Sequence, residues 1–185
     1  MSRGNTRQRI QDVALELFAE RGYEKTSLRE IAEQLDVTKA ALYYHFKTKE
    51  DILLSIFEDL NRPIVELIAW GEQQPRTLET KKEILRRYGQ ALYDAEPLFR
   101  FMQENQASIR ELSLGERIKQ RMFALSGLLV EQDAELIDRV RALTSLFAMH
   151  AGMFAMLQTD DDLKERQEAH LLVAHELITT AHHGD

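Results

Sequence analysis

The 185-residue chain has no cysteine, which excludes disulfides, thiolate metal sites and cysteine nucleophiles. Its three prolines and eight glycines are too few for the repeated tight turns of a β-rich fold, so long helices are expected. No apolar run approaches the roughly 18 residues that a membrane span needs. Met1 to Arg7 lack an apolar export-signal core, so a cytoplasmic protein without a membrane partner is expected. Glycine-rich phosphate loops and nucleophile elbows are missing too. His170 and His175 are five apart, on different helix faces, and His182 lies in a terminal tail. Asp160, Asp161 and Asp162 lack the spaced ligands of a calcium loop. No catalytic residue, metal or cofactor is therefore assigned, and the chain is not expected to be an enzyme.

Apolar residues make up 44% and charged residues 30%, as in a soluble globular chain long enough for a sizeable core. The net charge of −7 opposes general binding to polyanions, but the charge is uneven. Residues 1–50 hold 9 Lys and Arg against 8 Asp and Glu, whereas the remaining 135 hold 15 against 23.

Residues 7–21 have the 3.6-residue apolar period of an amphipathic helix, through Ile10, Val13, Ala14, Leu17 and Phe18. Gly22 follows where a left-handed residue commonly stops a helix. Thr26 and Ser27 offer an N-cap, with Glu30 set for a capping box. Leu28, Ile31, Ala32 and Leu35 make a two-turn second helix. After Asp36 and Val37, Thr38 caps a third, with Leu42 and Phe46 on its buried stripe. Three short helices, the last two separated by a few residues, have the layout of a helix-turn-helix. A longer helix starts near Thr48, with a kink or break expected at Pro63 and a loop from Trp70 through Pro75. Further helices are expected at 78–94, after Pro97, around Ile118 to Leu129, from a cap at Asp133 to about Leu157, and at 163–181. No segment alternates like a strand.

Residues 37–49 carry three lysines, one histidine, two tyrosines and no acid. Basic residues interleaved with aromatics suit contact with phosphates and base edges together. Small Ala40 and Ala41 would let a backbone approach a groove closely, and an alanine methyl can meet a thymine methyl. On composition alone the segment fits equally well a buried stripe of Leu42, Tyr43 and Phe46 beneath a solvated basic face.

The order of residues adds to this. Ala14 to Phe18, Gly22-Tyr23, Thr26-Ser27, Ile31-Ala32, Leu35, Val37 and Leu42 to Lys49 together resemble the TetR family of bacterial transcriptional regulators over about the first 55 residues. The resemblance implies an all-α chain. A helix-turn-helix DNA-binding domain would span 1–47, and a helical effector-binding and dimerisation domain 48–185. It implies a homodimer on a palindromic double-stranded DNA operator, a small-molecule effector, and a cytoplasmic, nucleoid-associated repressor. It places Arg29, Thr38, Lys39, Ala40, Ala41, Tyr43 and Tyr44 in or near the groove. His45 and Lys49 would hold phosphates, and Thr26 or Ser27 would hold one at a helix N-terminus. Arg29 and Lys39 can each donate to guanine O6 and N7. Asp36 stands where the family often has glycine; aspartate tolerates left-handed geometry, so the turn is expected to persist.

Five of the six methionines lie between 102 and 156, among aromatics. Tyr88, Phe99, Met102, Met122, Phe123, Phe147, His150, Met153 and Phe154 are the candidates for lining an effector cavity. The same residues equally suit a plain helical core. Few charges interrupt 142–157, which favours a mainly apolar or aromatic ligand. His150 there either bonds that ligand or is a satisfied core histidine. Ala148, Gly152 and Ala155, with Leu171, Val173, Leu177 and Ile178, are candidates for a four-helix dimer interface. The competing reading of the whole chain is a helical small-molecule-binding or scaffold protein without sequence-specific DNA binding.

Overall fold

A computed structural model of the chain describes residues 3–96, 98, 101, 114–131, 133–150 and 163–182. Among the described residues every regular element is a helix. In chain order these are α1 (Arg3–Arg21), α2 (Leu28–Gln34), α3 (Lys39–His45), α4 (Lys49–Gly71), α5 (Leu78–Asp94), α6 (Leu114–Leu129), α7 (Leu136–His150) and α8 (Leu163–Ala181). Two compact units form, one from Met1–Leu60 with Pro97–Gly115, the other from Asn61–Glu96 with Glu116–Asp185. Helix α4 contributes its first half to one and its second half to the other.

In the first unit, α1 buries Ile10, Ala14, Leu17 and Phe18 of the face its period marks, with Val13 half-buried at its edge, alongside Ile31 and Ala32 of α2, Leu35 at its C-cap, and Leu42 and Phe46 around α3. Each such side chain contributes roughly 1.5–3 kcal/mol on burial. Gly22 stops α1 with φ 86°, and its N–H donates to the Phe18 carbonyl at 3.0 Å. Tyr23 then folds back on Phe18, ring centroids 5.0 Å apart, and Phe101 stacks on Phe18 at 5.6 Å. Buried Gln11 ties α1 to α4 by donating to Ser55 at 2.8 Å and to Asp59 at 2.7 Å. Asp51 caps the start of α4, accepting from the N–H groups of Lys47 and Thr48.

Pro63 does not break α4, which runs unbroken to Gly71. Its ring sits on the exposed side, where water can replace the hydrogen bond that proline cannot make, while Ile64 and Leu67 are buried. Trp70, expected in a loop, belongs to the last turn of α4, with the Arg87 guanidinium 4.0 Å over its ring. Asp133 likewise does not cap α7. It lies in the turn before Leu136, and the Glu135 carbonyl accepts the first N–H bonds. The portion of that helix expected beyond His150 lies outside the described residues.

In the second unit α5, α7 and α8 pack together through Ile84, Leu85, Tyr88, Leu92, Ala142, Leu146, Met149, Ala174 and Ile178. Lys81 is buried there, with its ammonium 2.9 Å from Glu131 and 3.3 Å from Nδ1 of His182. Arg76 donates to the Gly127 and Val130 carbonyls at the end of α6.

Candidate functional site

The turn between α2 and α3 closes as a left-handed residue at Asp36, φ 53°. The Val37 N–H then donates to the Ala32 carbonyl at 3.0 Å. Thr38 caps α3, its hydroxyl accepting from the Ala41 N–H at 3.1 Å. Only Leu42 of α3 is fully buried, so the rest of this helix, roughly 10 Å long, is presented outward. Lys39, Ala40, Ala41 and Tyr44 are exposed, and Tyr43 and His45 are half-buried. The Lys39 ammonium lies 5.4 Å over the Tyr43 ring, and Tyr44 meets His45 edge to face at 5.3 Å. This face offers a cation, two aromatic hydroxyls, an imidazole and two methyls, without a carboxylate.

The other sequence-predicted residues of this unit are placed differently. Arg29 is exposed on α2 and donates to Glu33 at 2.7 Å, a solvent-screened surface pair that the guanidinium can readily exchange for another anion. Of the two candidate caps, Ser27 takes the position. Its side chain accepts from the Glu30 N–H, and the Glu30 carboxylate accepts from the Ser27 N–H at 2.8 Å. The Ser27 hydroxyl, which also donates to that carboxylate at 2.8 Å, and then the Ser27 N–H hold the Glu30 carboxyl below its usual range. A phosphate at this helix end would have to displace that carboxylate. Thr26 faces inward: it is buried, and its hydroxyl lies within bonding distance of the Leu17 and Gly22 carbonyls. The Lys49 ammonium is turned onto Tyr23, 2.6 Å from its carbonyl and 4.4 Å over its ring. Lys47, not singled out by motif, is exposed beside α3 and donates to the Tyr43 carbonyl at 2.5 Å.

Among the effector candidates, Tyr88, Met122 and His150 come together in the second unit. The Tyr88 hydroxyl lies 2.8 Å from Nε2 of His150 and 3.1 Å from the Met122 sulfur. Burial raises the Tyr88 phenol above its ordinary value and lowers the His150 imidazolium, so both groups are neutral at pH 7. Phe147 neighbours His150, centroids 6.2 Å apart, but is 55% exposed. Phe123 is 81% exposed, on the opposite side of α6 from buried Leu125 and Leu129. Neighbours in the chain point about 100° apart on a helix, so Met122 turns inward while Phe123 faces solvent. Phe99, Met102, Met153 and Phe154 lie outside the described residues, as do Gly152 and Ala155 of the small-residue stripe. Ile178 is fully buried within the unit, while Leu172 and Val173 of α8 are exposed.

Two features were not found from the sequence. Leu136, Ile137, Val140, Leu143 and Phe147 leave an exposed apolar face along α7; their spacing of four, three and four from Leu136 was the signal. A cleft of about 440 Å³, open to solvent, is lined by Val65 and Ile68 of α4 and by Arg117, Gln120, Arg121 and Ala124 of α6. A search for aromatic and methionine clusters passes over it.

Residues 10–56 match the family model described as bacterial regulatory proteins, tetR family. The transcriptional regulator AcrR of Shigella flexneri is 50% identical over 62 residues, which are 34% of this chain and 29% of that one. The matched segment thus spans under a third of that relative. PfmR, a TetR family transcriptional regulator from Thermus thermophilus, superposes with a TM-score of 0.61 at 26% identity, covering 92% of this chain and 96% of its own. A transcriptional regulator from Aquifex aeolicus shares the fold, with a TM-score of 0.71 at 23% identity over 90% and 96% of the two chains. Residues 10–56 are thus similar to the helix-turn-helix segment of the tetR family of bacterial regulatory proteins.

Proposed function

We propose that this protein is a ligand-responsive transcriptional repressor. It binds a palindromic DNA operator as a homodimer in the cytoplasm, on the nucleoid, and leaves it when a mainly apolar small molecule binds. The observation that carries the reading is the outward face of α3, held by a buried leucine and a left-handed turn, with Lys39, Ala40, Ala41, Tyr43 and Tyr44 on its surface. A helix presented in this way can enter the major groove, where lysine reads guanine and alanine meets thymine. Arg29, Thr38, His45 and Ser27 serve the flanking bases and phosphates, and Lys47 adds a phosphate contact.

Residues 1–47 are the reading domain in this proposal, and 48–185 bind the effector and form the dimer. The exposed apolar face of α7 and Leu172 and Val173 of α8 support a two-fold interface, since side chains of this size are costly to leave in water. The polar pair Tyr88 and His150 beside Met122 supports an effector region with few hydrogen-bonding groups among apolar ones. Effector binding acts by its preference for one conformer, and α4, which follows the reading domain directly, has its first half in one compact unit and its second half in the other.

The test is selection of binding sites from random DNA duplexes by the purified protein at moderate salt. An enriched inverted repeat is the expected outcome. Retention without sequence preference, falling steeply with salt, would leave a helical small-molecule-binding or scaffold protein.

A further inference from the structure

The cavity between the second half of α4 and α6 has a chemistry distinct from the Tyr88 and His150 cluster. The two helices touch at Gly71, where an added Cβ would come within 2.7 Å of Leu128. About two turns earlier they part, and the space between them is the cavity of about 440 Å³. The space is open to solvent on one side, so a head group can reach its wall from outside. Its walls are unequal. Val65, Ile68 and Ala124 supply methyl and methylene surface, while Arg117 and Arg121 bring two guanidiniums and Gln120 an amide.

The arginines are four residues apart on α6 and so lie on one face of it. No carboxylate is among the described lining residues, although residues 51–185 are strongly acidic. A positive lining in a negative domain concentrates anions. Each arginine also has an interaction within the protein, and a guanidinium with five donors can keep that contact while donating to a ligand.

From this juxtaposition we infer that the cavity binds an amphiphilic anion: an apolar chain against Val65, Ile68 and Ala124, and a carboxylate or phosphate head on Arg117 and Arg121. It names the class of the effector and so rests on the regulator reading above. Guanidinium forks match both head groups in planar, charge-assisted hydrogen bonds. An uncharged chain of the same length would gain the apolar contacts and forfeit those bonds.

Trp70, the single tryptophan, lies on α4 just past Ile68 and reports binding by its fluorescence. The full-length protein is titrated with decanoate, decyl phosphate and decanol, all below their micelle concentrations. One or both anions are expected to bind saturably and about tenfold tighter than decanol; which one does so identifies the head group. Arg117→Gln with Arg121→Gln should abolish that advantage and leave decanol binding unchanged. Because Arg121 is partly buried, Arg117→Gln alone, at the exposed position, is measured beside it and should reduce the advantage severalfold. Ala124→Phe should block all three ligands. Decanol binding as tightly as both anions, or an advantage that survives the arginine substitutions, overturns the inference. Arginine-dependent anion binding with no operator selected upholds the site and overturns the regulator. An operator released as readily by decanol as by the anions upholds the regulator and overturns the anionic effector.

Discussion

The Tyr88 hydroxyl donates to Nε2 of His150 at 2.8 Å, while Nδ1 of the same ring lies 3.0 Å from the Leu146 carbonyl. A carbonyl only accepts, so Nδ1 carries the hydrogen and Nε2 is the acceptor. Burial, opposed in part by the Leu146 bond, holds the imidazole in this neutral form. The unfolded chain takes up a proton near the ordinary histidine value of about 6.5, the folded chain only at lower pH. Stability from neutral His150 is therefore complete above about pH 6.5 and is lost as pH falls toward the lowered folded value. Urea unfolding at pH 7.5 and 5.5 should show the loss, and His150→Gln should flatten it. Tyr88→Phe should cost about 1–2 kcal/mol at pH 7.5 by leaving Nε2 without its donor. An unchanged midpoint in Tyr88→Phe would mean that the bond contributes nothing net.

Asp36 holds φ 53°, a region that costs most side chains about 1–2 kcal/mol. Asp36→Gly should keep or raise the melting temperature. Asp36→Val should destabilise the protein by about that cost and weaken DNA binding in step, because the turn sets α3. Equal stability of the two variants would show that this backbone strain is immaterial.

Thr26 closes the end of α1 from inside, its buried hydroxyl near both the Leu17 and Gly22 carbonyls. Thr26→Val keeps the volume and removes the donor, at an expected cost of about 1–2 kcal/mol in denaturant unfolding. Thr26→Ser should recover most of it. If Thr26→Ser is the worse of the two, the methyl group and not the hydroxyl matters.

Glu83 accepts from Arg86 and Arg87 at 2.7 Å each. These hydrogen bonds, Arg86 first, hold its carboxyl down at about 2. The pair energy is fully present above the ordinary glutamate value of about 4.3 and is lost as pH falls toward 2. Both arginines are half exposed, so after screening the effect is at most about 1 kcal/mol. Glu83→Gln should remove this part of the acid dependence. The Glu83 carbon signal, followed by NMR titration, should move well below pH 4, and a midpoint near the ordinary value would contradict the geometry.

Lys39→Ala should reduce binding to the selected operator by about 1–3 kcal/mol and relax preference at one base pair of each half-site. A uniform loss across all sequences, with a shallower salt dependence, would make Lys39 a phosphate contact instead.

Local rules were enough for much of the fold. Gly22, Ser27, Asp36 and Thr38 act through their own backbone neighbours, so the end of α1 and the starts of α2 and α3 were legible from residue type and spacing, whereas α1 begins at Arg3, one turn before its apolar period. So were the bounds of α5 and α8. Local chemistry penalises Pro63 and predicts a kink or break; the break does not occur, because neighbouring Ile64 and Leu67 are buried and their packing outweighs the lost hydrogen bond. The outward placement of Lys39, Ala40, Ala41 and Tyr44 on α3 was legible for the same local reason, with Leu42 marking the inward side. Thr26 was not, since its partner carbonyl at Leu17 lies on the previous helix.

What the amino-acid sequence determined by itself is therefore whatever depends on neighbours a few residues away: helical periods, caps, the left-handed turn and the composition of α3. What only the tertiary structure decided depends on partners distant in the chain. It joined Tyr88 to His150, turned Phe123 and Phe147 outward, buried Lys81 against Glu131, and opened a cavity between α4 and α6 with arginines in its wall. An amphipathic period says that a helix has an inner face. Which helix covers that face, and where two helices part, is settled by packing over the whole unit.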